Sequence, residues 1–460
     1  MNPITSWSFR PYTELPLCRR GKLPYICRLA PEKGGFTVDF IDNGAAADAQ
    51  HLVFVCERGR GTFTPVKPVR KENCFTAHIE CPDLTDYEVY AERSDGACSA
   101  VRLVRTGYVP GTVIHYLHPE DDAYVFSGKY LCSPSLLKLP DGTLLASMDV
   151  YEGGSAQNLT LIYRSTDGGK TFEYLTELFP CFWGKLFLAG GKLYMLGVSC
   201  EYGDLLIGCS DDGGRSWGMP TVLFRGSGHG HFGGIHRAPM PVEFSHGLLM
   251  TDVQYGSWSR GFGDFILSAE ENSDLLNPAN WKASEMWFPK DSPVTAQEHI
   301  CGGIEGSVVT APDGKVYDIL RFSTGKLLKL GFDPENREGK LTFEGFIQCP
   351  ITESKADIVY DKESKRYWMI ASYKNDCPAT LRNLLSLLYS SDLDTWKLAG
   401  HLMDFREDDP DKTGFQYVSF FIDGDDILYQ SRTALNGAHS FHDSNYSTFH
   451  RIPDFRKLAD

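Results

Sequence analysis

The sequence predicts an all-β protein: a propeller of four-stranded blades over residues 126–460, preceded by a small β-sandwich over residues 1–105. Three observations predict it. A turn motif occurs twice, as Ser165-Thr166-Asp167-Gly168-Gly169-Lys170-Thr171-Phe172 and as Ser210-Asp211-Asp212-Gly213-Gly214-Arg215-Ser216-Trp217, forty-five residues apart. Each copy follows a short apolar run, Leu159 to Tyr163 and Leu205 to Gly208. In such a turn Asp accepts hydrogen bonds from the backbone that follows it, Gly supplies a positive φ, and the aromatic tucks under the next strand. A repeat of that length is one propeller blade. From Ser127 onward the chain also cycles through apolar strand, Gly/Asp turn, two further strands and an aromatic-bearing outer strand. Finally, 45 Gly and 13% aromatics, with almost no helical periodicity, suit many short strands joined by tight turns.

In chain order, residues 1–105 carry alternating runs at Phe36–Ile41, Leu52–Val55, Phe75–Ile79, Tyr87–Tyr90 and Ala100–Val104. This is the signature of a fibronectin- or immunoglobulin-like sandwich. Residues 106–125 read as a linker, within which Val113 to Leu117 is expected to add a strand to the last blade and close the ring. Blade starts fall at Lys129, Trp183, Gly234, Gly303, Ser354 and Gly414. A degenerate turn motif, Ser390-Ser391-Asp392-Leu393-Asp394-Thr395-Trp396, ends the fifth cycle, and an eroded one, Leu267 to Glu270 with Trp281, the third. Six blades fit the span; seven shorter ones are the alternative count.

The net charge of −15 disfavours a nucleic-acid partner. No run approaches a membrane span, and Met1 to Arg20 has no apolar core of an export signal. Thirteen Cys without a CxxC pair read as reduced thiols, so a cytoplasmic location is expected. Exposed blade edges are compatible with a homo-oligomer.

Propeller geometry places the pocket. The start of each first strand and the end of each second strand meet at one end of the axis. Starts supply Lys185, His236, Arg237, Glu305, Lys355, Gln416 and Tyr417; ends supply Asp149, Tyr151, Glu201, Asp252, Arg321 and Arg432. Charged groups packed there need partners or a ligand. The cations Lys185, Arg237, Lys355, Arg321 and Arg432, in an acidic protein, predict an anionic group on the ligand. Mutual neutralisation with Glu305, Asp149, Glu201 and Asp252 is the alternative. The loop Asn436 to Asn445 adds His439, His442 and Asp443, and Trp183 opens the second blade. His-x-x-His-Asp outside a helix is a weak metal spacing, so neither metal nor organic cofactor is expected.

The turn motif resembles the Asp-box of sialidases and related BNR-repeat proteins. The resemblance spans residues 126–460 and implies a sialidase-like propeller with the boxes at the blade rim, remote from substrate. The runs Phe182–Phe187, Gly414–Val418 and Gly437–Tyr446 are similar to those of bacterial proteins loosely called exo-α-sialidases. Sialidases use a Tyr nucleophile assisted by a carboxylate, an Asp acid and three Arg that hold the substrate carboxylate. The resemblance therefore implies Tyr417 with Glu305 as the nucleophile pair and Arg237, Arg321 and Arg432 as the grip. The chain departs from the pattern at Leu131-Cys132-Ser133-Pro134, where sialidases carry an Arg before Ile-Pro.

The reading taken forward is an exo-acting glycoside hydrolase that removes a terminal, acidic sugar from an oligosaccharide. Glycosidases place an acid and a nucleophile or base across the scissile bond. Glu305 is expected as nucleophile or base and Asp149 as acid, with Tyr417 and His236 auxiliary. Substrate contacts are expected from Lys185, Arg237, Arg321, Lys355, Gln416, Arg432, His439, His442, Asp443, Tyr151 and Trp183. Two alternatives stay open. One is a uronate-directed lyase using His236, Tyr417 or His442; the other is a carbohydrate-binding propeller without catalysis.

Overall fold

The computed structural model describes residues 9–14, 19–46, 48–291, 303–374 and 381–459. Most of the segment read for an export signal lies outside the described residues. The protein is all-β: among the described residues the helices are 3₁₀ turns of three or four residues, and no helix is long and apolar enough to cross a membrane.

Residues 25–105 fold into two four-stranded antiparallel sheets. One contains Tyr25–Glu32, Gly35–Ile41, Phe75–Glu80 and Val69–Arg70; the other contains Thr64–Val66, His51–Glu57, Asp86–Arg93 and Arg102–Arg105. Period-2 patterning puts Tyr87, Val89 and Ala91 inward along one strand. They share a core with Phe36, Val38, Phe40 and Val53, which continues into Trp368 and Phe415 further along the chain.

Six antiparallel sheets follow, the pattern of a β-propeller. Their first strands are Tyr130–Lys138, Phe182–Ala189, Gly234–His236, Ile304–Thr310, Asp357–Asp361 and Gly414–Asp423; they are called sheets 1 to 6 below. Sheet 3 has a fifth strand, Glu243–Ser245, paired with Leu248–Ser257. Sheet 6 takes its outermost strand, Thr112–Tyr116, from the segment before sheet 1.

Both turn motifs adopt one geometry, each after the third strand of its sheet. Asp167 Oδ1 accepts from Ser165 Oγ at 2.7 Å and from the Thr171 amide at 3.0 Å. Asp212 Oδ1 accepts from Ser210 Oγ and the Ser216 amide, both at 2.9 Å. Gly169 has φ +90°, and a Cβ there would lie 2.0 Å from Phe449, so the glycine answers both strain and contact. The degenerate copy keeps the acceptor, Asp392 Oδ1 to the Thr395 amide at 2.7 Å, while Leu393 stands at φ +69°.

Candidate active site

The first strands of sheets 1, 2, 4 and 6 share a deformation that positions the site. Register breaks between Cys132 and Ser135, Phe182 and Lys185, Ile304 and Ser307, and Gln416 and Ser419. In each case two residues of the inner strand oppose one on the second strand, which is a β-bulge. The first bulged residue is left-handed every time: Ser133 (φ 52°), Trp183 (50°), Glu305 (56°) and Tyr417 (53°). A non-glycine residue there costs on the order of 1–3 kcal/mol and persists only when surrounding structure imposes it.

Side chains of neighbouring sheets impose it. Asp149, on the second strand of sheet 1, accepts from the Trp183 amide at 2.7 Å. Asp252, on the second strand of sheet 3, accepts from the Gly306 amide at 2.7 Å and from Gln254 Nε2 at 2.5 Å. Gln254 Oε1 in turn accepts from the Glu305 amide at 3.2 Å. In sheet 6, Lys355 Nζ donates to the Val418 carbonyl at 2.9 Å, Ser372 donates to the Phe415 carbonyl at 3.0 Å, and the Arg382 guanidinium donates to Gln416 Oε1.

The bulges of sheets 4 and 6 bring Glu305 and Tyr417 together. The Tyr417 hydroxyl donates to Glu305 Oε1 at 2.9 Å. Arg321 Nη1 donates to Glu305 Oε2 at 2.9 Å and to the Tyr417 oxygen at 3.0 Å. Two more guanidiniums lie over the Tyr417 ring, Arg432 at 5.2 Å and Arg382 at 5.6 Å from its centroid. Glu305 is 5% exposed, as is Arg382; Arg432 is 4% exposed. Burial pushes the Glu305 carboxyl up, but Arg321, His236 and the hydrogen bonds from Arg321 and Tyr417 outweigh it and hold it below the usual carboxylate range. Burial and the Glu305 charge raise the Tyr417 phenol, against the pull of the three Arg. The centre thus holds a carboxylate beside a neutral phenol under three cations, an excess of positive charge within an acidic protein.

Around this centre stands a mixed aromatic rim. Trp183 meets His236 edge-on at 4.7 Å, and Trp258 meets the same ring at 5.3 Å. Tyr151 lies under the Arg432 guanidinium at 5.5 Å and meets His442 at 5.7 Å. Asp443 bridges His439 (2.8 Å) and His442 (2.9 Å), and Arg432 donates to the His442 carbonyl. Burial lowers His236 and His442 to about 4, so both rings are neutral near pH 7.

Several expected contacts lie elsewhere. Arg237 is fully buried, donates to the Leu196 carbonyl at 3.0 Å and faces Asp252, so it does not join Arg321 and Arg432. Lys355 is locked to Asp357 at 2.5 Å with neither side chain exposed. Lys185 donates to Ser419 Oγ at 3.3 Å, and burial lowers it to about 8. These three cations lie in a buried interior beside Asp252 and Asp357; of the acids expected as their partners, Asp252 faces Arg237, and Asp357 is not one of them. Gln416 is completely buried between Arg382 and the Phe441 carbonyl. Asp149, expected as the acid, is 0% exposed with both oxygens engaged, one by the Trp183 amide and one by Thr160 Oγ1 at 2.5 Å. Its geometry is that of a clamp on the sheet 2 bulge. Asp149→Ala leaves two buried donors unmet and is expected to lower stability by about 2–4 kcal/mol, read by denaturant titration.

Arg382 escaped the sequence reading. It lies between the second and third strands of sheet 5, neither at a strand start nor at a second-strand end, so propeller geometry did not select it. Glu353, 3.6 Å from Arg321, escaped because it falls one residue before the blade start read at Ser354. Among the described residues no group of three or more His, Cys, Asp or Glu could hold a metal ion.

No protein-family model matches the chain, and no curated protein does. Solved structures match by shape. A Hadza microbial sialidase aligns over 94% of this chain and 94% of its own, with TM-score 0.52 and 14% identity. A leech intramolecular trans-sialidase, complexed with 2,7-anhydro-Neu5Ac, covers 97% and 93% with TM-score 0.50 and 11% identity. The Penicillium chrysogenum α-L-arabinanase, complexed with arabinobiose, covers 76% and 99% with TM-score 0.50 and 14% identity. On this similarity the chain has the sialidase-like β-propeller fold.

Proposed function

We propose that the protein is an exo-acting glycoside hydrolase in which Tyr417 attacks the anomeric carbon of a terminal, carboxylate-bearing sugar. The observation that carries the reading is the hydrogen bond from the Tyr417 hydroxyl to an ionised Glu305 beneath three guanidiniums. A phenol is a weak nucleophile until a base takes its proton. Glu305 is placed to take it, and Arg321, which donates to both oxygens, stabilises the charge that develops as it moves. Arg321, Arg382 and Arg432 supply more donors than Glu305 and Glu353 can accept, which suits a substrate carboxylate. Neutral His236, Trp183 and Tyr151 give the sugar ring an apolar wall.

The same reading takes the six sheets as six blades of a closed ring and residues 25–105 as a sandwich packed on it. A cytoplasmic location also belongs to the proposal. The ten described cysteines are free thiols, the state a reducing compartment maintains.

The experiment is incubation with sialylated and uronic-acid-terminated oligosaccharides, read by mass spectrometry and by absorbance near 235 nm. Hydrolysis gives products that together gain one water and no new absorbance. New absorbance without water would instead establish β-elimination. The acidic limb of the rate is a second expectation. Glu305 must be ionised and its carboxyl is depressed, so activity persists as pH falls through the ordinary carboxylate range of about 4 and is lost only below it. A limb centred well above pH 5 would contradict Glu305 as the base.

A further inference from the structure

A hydrolase needs a proton for the leaving oxygen, and neither Tyr417 nor Glu305 can supply it. The carboxylates near the site differ sharply in fitness for the task. Asp149 and Asp252 are 0% exposed and clamp the bulges. Burial pushes Asp443 up, but His442, His439 and Arg432 outweigh it and bring it to about 2, so it carries no proton at neutral pH. Glu353 is held by Arg321.

Glu201 is different. It sits just beyond the second strand of sheet 2, half-buried at the edge of an open cleft of about 1090 Å³. The cleft is lined by Ser155, Asn158, Tyr202 and Gly228 and by the Arg225–Asp204 ion pair (2.6 Å), a polar surface in which Arg225 is paired, suited to sugar hydroxyls. Gln157 Nε2 donates to Glu201 Oε2 at 2.8 Å. Gln157 is itself fixed: 2% exposed, at φ 49°, its amide donating to the Ser127 carbonyl at 3.1 Å. That bond fixes one Glu201 oxygen and orients the carboxyl at the cleft edge. Burial pushes the Glu201 carboxyl above its ordinary value, against hydrogen bonds from Gln157, Tyr202 and Trp258. Trp258 ties Glu201 to the centre, since its indole meets His236, whose ring feels the Glu305 charge.

We propose that Glu201 is the general acid and that the cleft beside it receives the leaving sugar; this rests on the Tyr417–Glu305 reading. In the first step the Tyr417 oxygen bonds to the anomeric carbon and its proton passes to Glu305. The glycosidic C–O bond breaks, and the departing oxygen takes the electron pair and the Glu201 proton. In the second step water adds at the anomeric carbon and gives a proton to Glu201. The Tyr417–carbon bond breaks and Tyr417 regains its proton from Glu305.

The test compares Glu201→Gln with wild type on two leaving groups: a sugar, in the oligosaccharides above, and 4-methylumbelliferone, in its glycosides of N-acetylneuraminic and glucuronic acid. The aryl group leaves as an anion without help. Expected is a loss of at least about 10²–10³-fold in kcat/KM on the oligosaccharide, less than about tenfold on the aryl glycoside, and disappearance of the basic limb of the pH profile. The retained aryl activity also shows that the variant folds. Equal losses on both substrates, or a basic limb unchanged from wild type, would overturn the assignment of Glu201 while leaving Tyr417 in place. Wild-type protein inert on every substrate would overturn the hydrolase reading and this proposal with it.

Discussion

Tyr417→Phe is expected to lower kcat/KM on the oligosaccharide by at least about 10³-fold while leaving the fold intact. The substitution removes one oxygen. That oxygen donates to Glu305 and accepts from Arg321, so its loss removes the nucleophile and frees two partners that remain bonded to each other. The ring keeps its place beneath Arg382 and Arg432. Unfolding midpoints should move little, because the Glu305–Arg321 ion pair survives. Glu305→Gln is the companion variant. It keeps the shape and removes the base, so substrate binding is retained while turnover falls by a similar factor. Full activity in Tyr417→Phe with loss in His236→Ala would move the chemistry to the imidazole and favour elimination.

Arg382→Ala is expected to weaken binding of a carboxylate-bearing substrate by about 2–4 kcal/mol, roughly 30- to 1000-fold in KM, with a smaller fall in kcat. The residue is nearly fully buried, so its removal also loosens Gln416 and the Glu353 carbonyl, to which Arg382 Nη2 donates at 2.9 Å. A measurement that separates the two effects uses a substrate methyl ester. Wild type should discriminate strongly between acid and ester, and the variant should not. Equal discrimination in both proteins would mean that Arg382 only supports the sheet 6 bulge. Arg382→Lys keeps the charge but not the planar fork and should recover only part of the discrimination.

How far the chain could be read without coordinates depended on which signals are local. The turn motif at Ser165–Phe172 and its copy at Ser210–Trp217 close within five residues, so spacing alone exposes them. Glu305, Tyr417, Arg321 and Arg432 were legible because strand starts and second-strand ends converge by construction. What that rule does not contain is the bulge. It turns Glu305 and Tyr417 toward each other, whereas Arg237 and Lys355, in sheets whose first strands carry no bulge, and Lys185 lie in a buried network with Asp252 and Asp357. Nothing in Trp183 or Tyr417 marks them for positive φ, since the side chains that hold the bulges come from outside their own sheets. Asp149 shows the same limit: a polar residue at a strand end looks identical whether it meets a ligand or, as here, a neighbouring amide. Arg382 comes from a loop, where periodicity is silent.

The central claim is that Tyr417 becomes covalently bound to the anomeric carbon. It is tested most directly by incubating the protein with fluorinated glycosyl fluorides of N-acetylneuraminic and glucuronic acid, then mapping the adduct by peptide mass spectrometry. The account predicts one glycosyl group per chain, on the peptide containing Tyr417 and absent from Tyr417→Phe. Adduct on Glu305 instead, or hydrolysis of these fluorides at the wild-type rate by Tyr417→Phe, would contradict it.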